Sequence, residues 1–247
     1  GLRSSTRIHA GLHDSNAALV SARSCAQFAE GDATLISTGT WFVAMRSLGE
    51  GASAPALQED RGCLFNVDVS GKPAPTALFM GGREIEMLGA VGIDAPERQS
   101  AIAAALAAVL DAEAMVLPTM ASGTGAFPEA VGAWCAKPAV DEERDVAVAL
   151  YAALMVDVGL DLVGSQGALL VEGRFAKCEV FIGALAALRL QSTVYVAEGA
   201  SDVSAGALRM AQPDIGAAAS LRPVAPLALD LSRYRALWRE RISARLP

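Results

Sequence analysis

The sequence predicts an α/β fold in which helices flank a mixed β-sheet, and three observations carry that expectation. The first half is rich in strand-like apolar runs, and the second half reads strand, helix, strand, helix. Hydrophobic residues make up 53% of the 247 and charged residues 19%, enough apolar material for one large domain or two small ones. The longest apolar runs, at 101–110 and 146–156, fall short of the roughly 20 residues that cross a bilayer. The apolar excess is therefore read as core, and no membrane association is expected.

Taken in order, residues 8–11 read as a short strand that turns through Gly11-Leu12-His13-Asp14 into a helix over 15–20. Residues 33–45 are a β segment, apolar on both sides and broken by a polar knot at 37–40. A loop over 49–60 leads to a strand over 63–69 that ends in the turn Ser70-Gly71-Lys72-Pro73. Helices are expected over 82–91 and 99–110, then a short strand at 115–116. Gly123, Gly125, Pro128 and Gly132 mark 118–134 as a loop. The acidic first turn Asp141, Glu142, Glu143 suits a helix dipole and opens a long amphipathic helix over 141–164. A strand over 168–172, a helix over 177–188, a strand over 193–197 and a helix over 201–211 follow. The last of these is capped by Ser201 or Asp202. A basic helix over 231–246 places Tyr234, Leu237, Trp238 and Ile242 on one face.

Charge and cysteine content exclude several functions. The net charge is −7 and no basic stripe is present, so a nucleic-acid partner is not expected. An acidic chain still accommodates ATP, because nucleotide sites use backbone N–H groups and a metal ion. The four cysteines contain no CxxC pair. Reduced thiols and a cytoplasmic location follow, rather than a disulfide framework or metal cluster. No signal peptide is visible at the start. The chain opens at Gly1 and soon enters an apparent strand, as a segment inside a larger protein would; a processed tag scar is the alternative.

Three segments carry candidate chemistry. Asp14 stands between a strand and a helix, where a carboxylate can take a proton from a bound hydroxyl. On spacing alone, a helix cap is the commoner role for such a residue. Ser37-Thr38-Gly39-Thr40-Trp41 offers two hydroxyls around a glycine, which suits either a phosphate or an ordinary hairpin turn. In Val171-Glu172-Gly173-Arg174-Phe175-Ala176-Lys177 a strand turns into a helix, suiting a nucleotide or a plain βα turn. No GxxxxGK[ST] run exists. His9 and His13 lack a third ligand, so a metal site is not expected there. No His follows Cys178, which removes a Cys–His nucleophile reading. Arg83-Glu84 with Glu86 reads as a solvated helix start, with a position bordering a site as the alternative.

In this order, over nearly the whole chain, the segments resemble the C-terminal domain of the FGGY carbohydrate kinase family. Ala10-Gly11-Leu12-His13-Asp14-Ser15-Asn16-Ala17-Ala18 is similar to the family's Gly-x-x-Asp-x-x-Ala segment, whose Asp is the catalytic base. Ser37-Thr38-Gly39-Thr40-Trp41 resembles the second phosphate motif, in a form similar to that of rhamnulokinases and fuculokinases. The loop over 119–134 resembles the family's Gly/Pro-rich loop beside the nucleotide. Glu172-Gly173-Arg174 stands where the family has Asp-Gly-Gly, the adenosine motif. Asp202-Val203-Ser204-Ala205-Gly206-Ala207 is similar to the late Gly-Ala-Ala helix start.

The resemblance implies an actin-like ATPase (ribonuclease H-like) fold, with residues 1–247 as one C-terminal domain and an N-terminal domain outside them. It implies ATP and Mg²⁺ as cofactors and a sugar as substrate, with a ketose as the expected class. Asp14 would be the base, with His13 and Asn16 on the substrate side. Thr38, Gly39, Thr40, Gly123, Gly125, Gly173, Arg174 and Lys177 would hold the nucleotide, and the metal would enter with ATP. Two positions depart from the pattern: Arg174 replaces a glycine and Cys178 an asparagine. Alternatives are a non-catalytic binding module on the same fold and a hydrolase using Asp14 with water. Oligomeric state is open, a homodimer among the alternatives.

Overall fold

The computed structural model describes residues 1, 3–198, 203–212 and 219–246. Its strands are β1 Ala33–Thr38, β2 Phe42–Ser47, β3 Cys63–Val67, β4 Pro73–Phe79, β5 Met115–Leu117, β6 Ala133–Cys135, β7 Ala168–Gly173, β8 Val194–Glu198 and β9 Ser220–Pro223. Its helices are α1 Asp14–Arg23, α2 Ala26–Ala29, α3 Gly81–Met87, α4 Gln99–Ala104, α5 Leu106–Asp111, α6 Asp141–Leu162, α7 Glu179–Leu188, α8 Val203–Ala211 and α9 Ser232–Ser243.

Seven strands form a mixed sheet in the order β3-β4-β2-β1-β7-β8-β9, and β5 pairs with β6 apart from it. β1, β7 and β8 run parallel at the centre, and the other pairs are antiparallel. Successive side chains of a strand point to opposite faces, and the central strands show it. Leu35 and Leu170 pack with Ala18, Leu19 and Ala22 of α1 on one face. Ile36, Leu169 and Val171 pack with α6 and α7 on the other. Strands with apolar residues on both faces are what a sheet covered on both sides requires.

Several expectations change in detail. Residues 8–11 form no strand; Ile8 is 82% exposed, and no ladder partner lies beside it among the described residues. The segment over 33–45 is two strands joined by a tight hairpin at Gly39, Thr40 and Trp41, with Thr38 opposite Phe42. The helix over 99–110 divides at Ala105 into α4 and α5. α6 is not amphipathic over its middle: every residue from Asp145 to Leu160 is buried. It lies between the sheet, α7, the α3–α5 helices and β5, so it has no solvent face there. The helix over 177–188 starts two residues later, after a 3₁₀ turn at Arg174–Lys177. Ser201 and Asp202, the expected caps of α8, lie outside the described residues.

Three strands went unseen in the sequence: β4, β6 and β9. β4 carries Pro73 and Pro75, which argue against a central strand. They are tolerated because β2 pairs only with its second half, from Thr76 to Phe79. Around Pro75, β4 is bonded to β3 alone, so an N–H is dispensable on the other side.

Candidate nucleotide and catalytic site

The carboxyl ends of β1 and β7, where α/β sheets bind ligands, meet at Thr38 and Gly173, paired in register. Gly173 has φ 87°, and a Cβ there would stand 2.3 Å from the Thr38 carbonyl oxygen. Only glycine fits this close approach. Thr38 is buried, and its hydroxyl donates to the Glu172 carbonyl at 2.6 Å and accepts the Phe175 N–H at 3.1 Å. Its side chain thus staples the turn after β7 and is not turned toward a ligand.

The exposed groups at this edge are Gly39, Thr40 and Trp41 at the hairpin tip. The tip rests on the start of α3. A Cβ at Gly82 would lie 2.1 Å from the Gly39 carbonyl oxygen, and the Arg83 N–H points at the Thr40 carbonyl at 3.4 Å. Beneath it, Phe42 packs on Phe79, Phe175 and Phe181 at ring-centre distances of 5.2, 5.2 and 5.7 Å. Aromatic packing of this kind gives the hairpin a rigid base.

Arg174 reaches sideways. Its guanidinium makes a two-pronged pair with Asp94, both contacts at 2.9 Å, and lies over the Phe175 ring. The Arg174 hydrogen bond holds the Asp94 carboxyl below the usual carboxylate range. Beside Gly173 a cavity of about 400 Å³ is lined by Glu172, Ala176, Lys177, Glu179 and Arg222. That volume falls within the roughly 300–1,000 Å³ of small-molecule sites. The cavity lining sets two cations, Lys177 and Arg222, beside two carboxylates, Glu172 and Glu179, at the glycine cradle. Cys178 lies apart from any ligand: it is fully buried, and burial pushes its thiol up to about 12.

The loop between β5 and β6 contains the other two predicted glycines. Gly123 has φ 78° with open space around it. Gly125 is a packing glycine: a Cβ would come within 2.8 Å of the Phe79 Cβ. The loop is tied down by the Thr119 hydroxyl on the Phe127 carbonyl at 2.6 Å and by the Ala121 N–H on Glu84 at 3.0 Å. Arg83 and Glu86 are exposed, as a solvated helix start requires, but Glu84 departs from that expectation, being wholly buried with its carboxyl pushed up by desolvation. The signal was its spacing: Gly81, Gly82, Glu84 and Ile85 form the buried stripe of α3.

Asp14 is the first residue of α1, and His13 is the N-cap. Asp14 accepts the Ser15 N–H at 2.7 Å, and its side chain remains 73% exposed beside His13 Nδ1 at 2.9 Å. Asn16 donates its amide to the Val67 carbonyl at 3.1 Å, tying α1 to the end of β3. Among the described residues, no hydrogen bond or ion pair joins Asp14 to the Thr38–Gly173 edge. The two are related through the packing of α1 on β1 and β2. None of the described helices is long and apolar enough to cross a membrane.

A mixed sheet with a parallel centre, helices on both faces and a glycine-lined strand edge defines an α/β domain of the actin-like ATPase class. The chain belongs to the FGGY carbohydrate kinase family, whose C-terminal domain model matches residues 30–219. Among solved structures it is similar to a carbohydrate kinase from Novosphingobium aromaticivorans, at 47% identity and TM-score 0.87, over 94% of this chain and 51% of that one. Two more distant likenesses show the fold alone. A xylulose kinase from Bifidobacterium adolescentis has 16% identity and TM-score 0.64, over 92% of this chain and 46% of that one. Plasmodium falciparum glycerol kinase with ADP has 9% identity and TM-score 0.63, over 95% and 50%. The chain thus spans about half the length of the kinases it matches. No curated protein sequence matches it.

Proposed function

We propose that this chain is the C-terminal half of an ATP-dependent carbohydrate kinase, carrying the catalytic base and most of the nucleotide site, with an N-terminal domain supplying the rest of the sugar pocket. The observation that carries the reading is the glycine-lined edge where the Gly39–Thr40 hairpin, the start of α3 and the Gly173 turn converge. Glycines there allow phosphate oxygens to approach backbone and hydroxyl groups closely. Gly39 and Thr40 face the phosphates, and Thr38 supports them from beneath through its bonds to Glu172 and Phe175. Gly173 and Lys177 border the nucleoside, with Arg174 turned aside onto Asp94, Gly123 on the neighbouring loop and Gly125 packing that loop in place. Mg²⁺ entering with ATP would offset the charge of the phosphates.

Asp14 orients the acceptor hydroxyl and takes its proton as the phosphoryl group transfers. Its exposure fits a group that faces an incoming domain and substrate. His13 and Asn16 stand on the substrate side. A ketose acceptor of the rhamnulokinase or fuculokinase kind is proposed from the Ser37-Thr38-Gly39-Thr40-Trp41 likeness.

The test is Asp14→Asn in the full-length protein, assayed by ADP release with a panel of sugars. Sugar-dependent turnover should fall by about two orders of magnitude or more, while ADP affinity stays near wild type. Turnover close to wild type would remove Asp14 from the base role.

A further inference from the structure

Glu84 is a carboxyl with 0% exposure, and the reaction as proposed does not use it. Burying a carboxyl is costly unless its oxygens are satisfied. Here one oxygen accepts the Ala121 N–H at 3.0 Å and the other the hydroxyl of Tyr151, itself fully buried in α6. Among the described residues no Lys or Arg forms an ion pair with it; the donors are all neutral.

The place of this carboxyl in the fold is specific. The backbone of the same turn of α3 presses on the phosphate-side hairpin, with Gly82 against the Gly39 carbonyl and the Arg83 N–H toward Thr40. The side chain of that turn holds the loop that carries Gly123. An apolar side chain would fill the same space, but it would not fix the direction of the Ala121 N–H group. Hydrogen bonds to a carboxyl are directional and are among the stronger ones in proteins.

We infer that Glu84 is a positioning residue for the nucleotide. It sets the separation and orientation of the Gly39–Thr40 hairpin and the 118–132 loop, so that both address one ligand in one geometry. The inference rests on the nucleotide reading of those two segments. Glu84→Gln preserves the arrangement, because the amide oxygen accepts the Ala121 N–H and the amide nitrogen can donate to the Tyr151 oxygen. Glu84→Ala abolishes it. Tyr151→Phe removes a single donor with little change of shape.

The experiment uses the full-length protein and follows KM for ATP, KM for sugar, ADP binding by calorimetry and melting temperature. Glu84→Ala should raise KM for ATP and weaken ADP binding about tenfold or more. KM for sugar should be unchanged. Glu84→Gln should restore most of the loss, and Tyr151→Phe should fall between the two. If Glu84→Ala does not fold, Tyr151→Phe decides: an ATP KM and ADP affinity equal to wild type overturn the inference. A parallel rise in both KM values, or a lower melting temperature with unaltered ADP affinity, overturns it too, because either marks a purely structural brace. Failure of the wild-type protein to bind ADP removes the nucleotide reading itself. Normal wild-type binding with an indifferent Glu84→Ala removes only the role of Glu84.

Discussion

Thr38 and Gly173 face each other across two parallel strands, and each accounts for the other. The Thr38 hydroxyl holds the turn that Gly173 makes possible, and the Thr38 carbonyl stands where any larger residue at 173 would collide. Gly173→Ala therefore adds left-handed strain, about 1–3 kcal/mol, to a backbone collision. It should lower the unfolding midpoint clearly in a thermal melt and weaken ADP binding; a melt and affinity matching wild type would show that the turn can relax. Arg174 changes meaning at this scale. It stands where the family resemblance has a glycine, and its guanidinium is committed to Asp94 and the Phe175 ring rather than projecting over the cavity. Cys178, the other departure, is core.

Among the elements, α6 holds the second layer together. Its Asp157 is fully buried and meets Arg189 at 2.8 Å, Arg235 at 2.7 Å and Arg239 at 3.1 Å. Asp161, one turn on, is shared by the same three arginines. The cluster joins α6 to the end of α7 and to α9, whose Trp238 donates to the Val116 carbonyl at 2.8 Å. Removing one partner of a buried ion pair leaves the other charge uncompensated, at a cost of about 3–5 kcal/mol. Asp157→Ala should lower the denaturant midpoint accordingly; an effect as small as a surface pair gives would mean that Asp161 alone satisfies the arginines. The acidic first turn and the apolar length of α6 were legible in its sequence. Its all-round burial was not, because no periodicity shows how many neighbours a helix will have.

At the scale of the molecule, the domain carries two features on different elements: the glycine-lined sheet edge and the exposed Asp14 at the start of α1. A phosphoryl transfer needs both addressed to one substrate with water excluded. On the proposed reading, residues 1–247 by themselves should bind ADP yet release little ADP in the presence of any sugar, and restoring the N-terminal domain should recover turnover. Sugar-dependent turnover by the isolated chain would show that its own cavities suffice.

The sequence by itself determined the architecture, through the doubly apolar central strands, the helices between them and the ordered turn motifs. Those are local signals: side-chain period, glycine placement and caps. The place of Asp14 at a helix start and of Gly173 at a strand end was legible for the same reason. Only the tertiary structure decided that Thr38 points inward, that Gly125 packs against Phe79 and that β4 tolerates Pro75. It alone revealed Glu84 as a buried tie rather than a solvated one. Each of these depends on a partner distant in sequence, at Glu172, Phe79, Phe65 or Tyr151. A hydrogen bond or close contact of that kind acts only once folding has brought the two segments together.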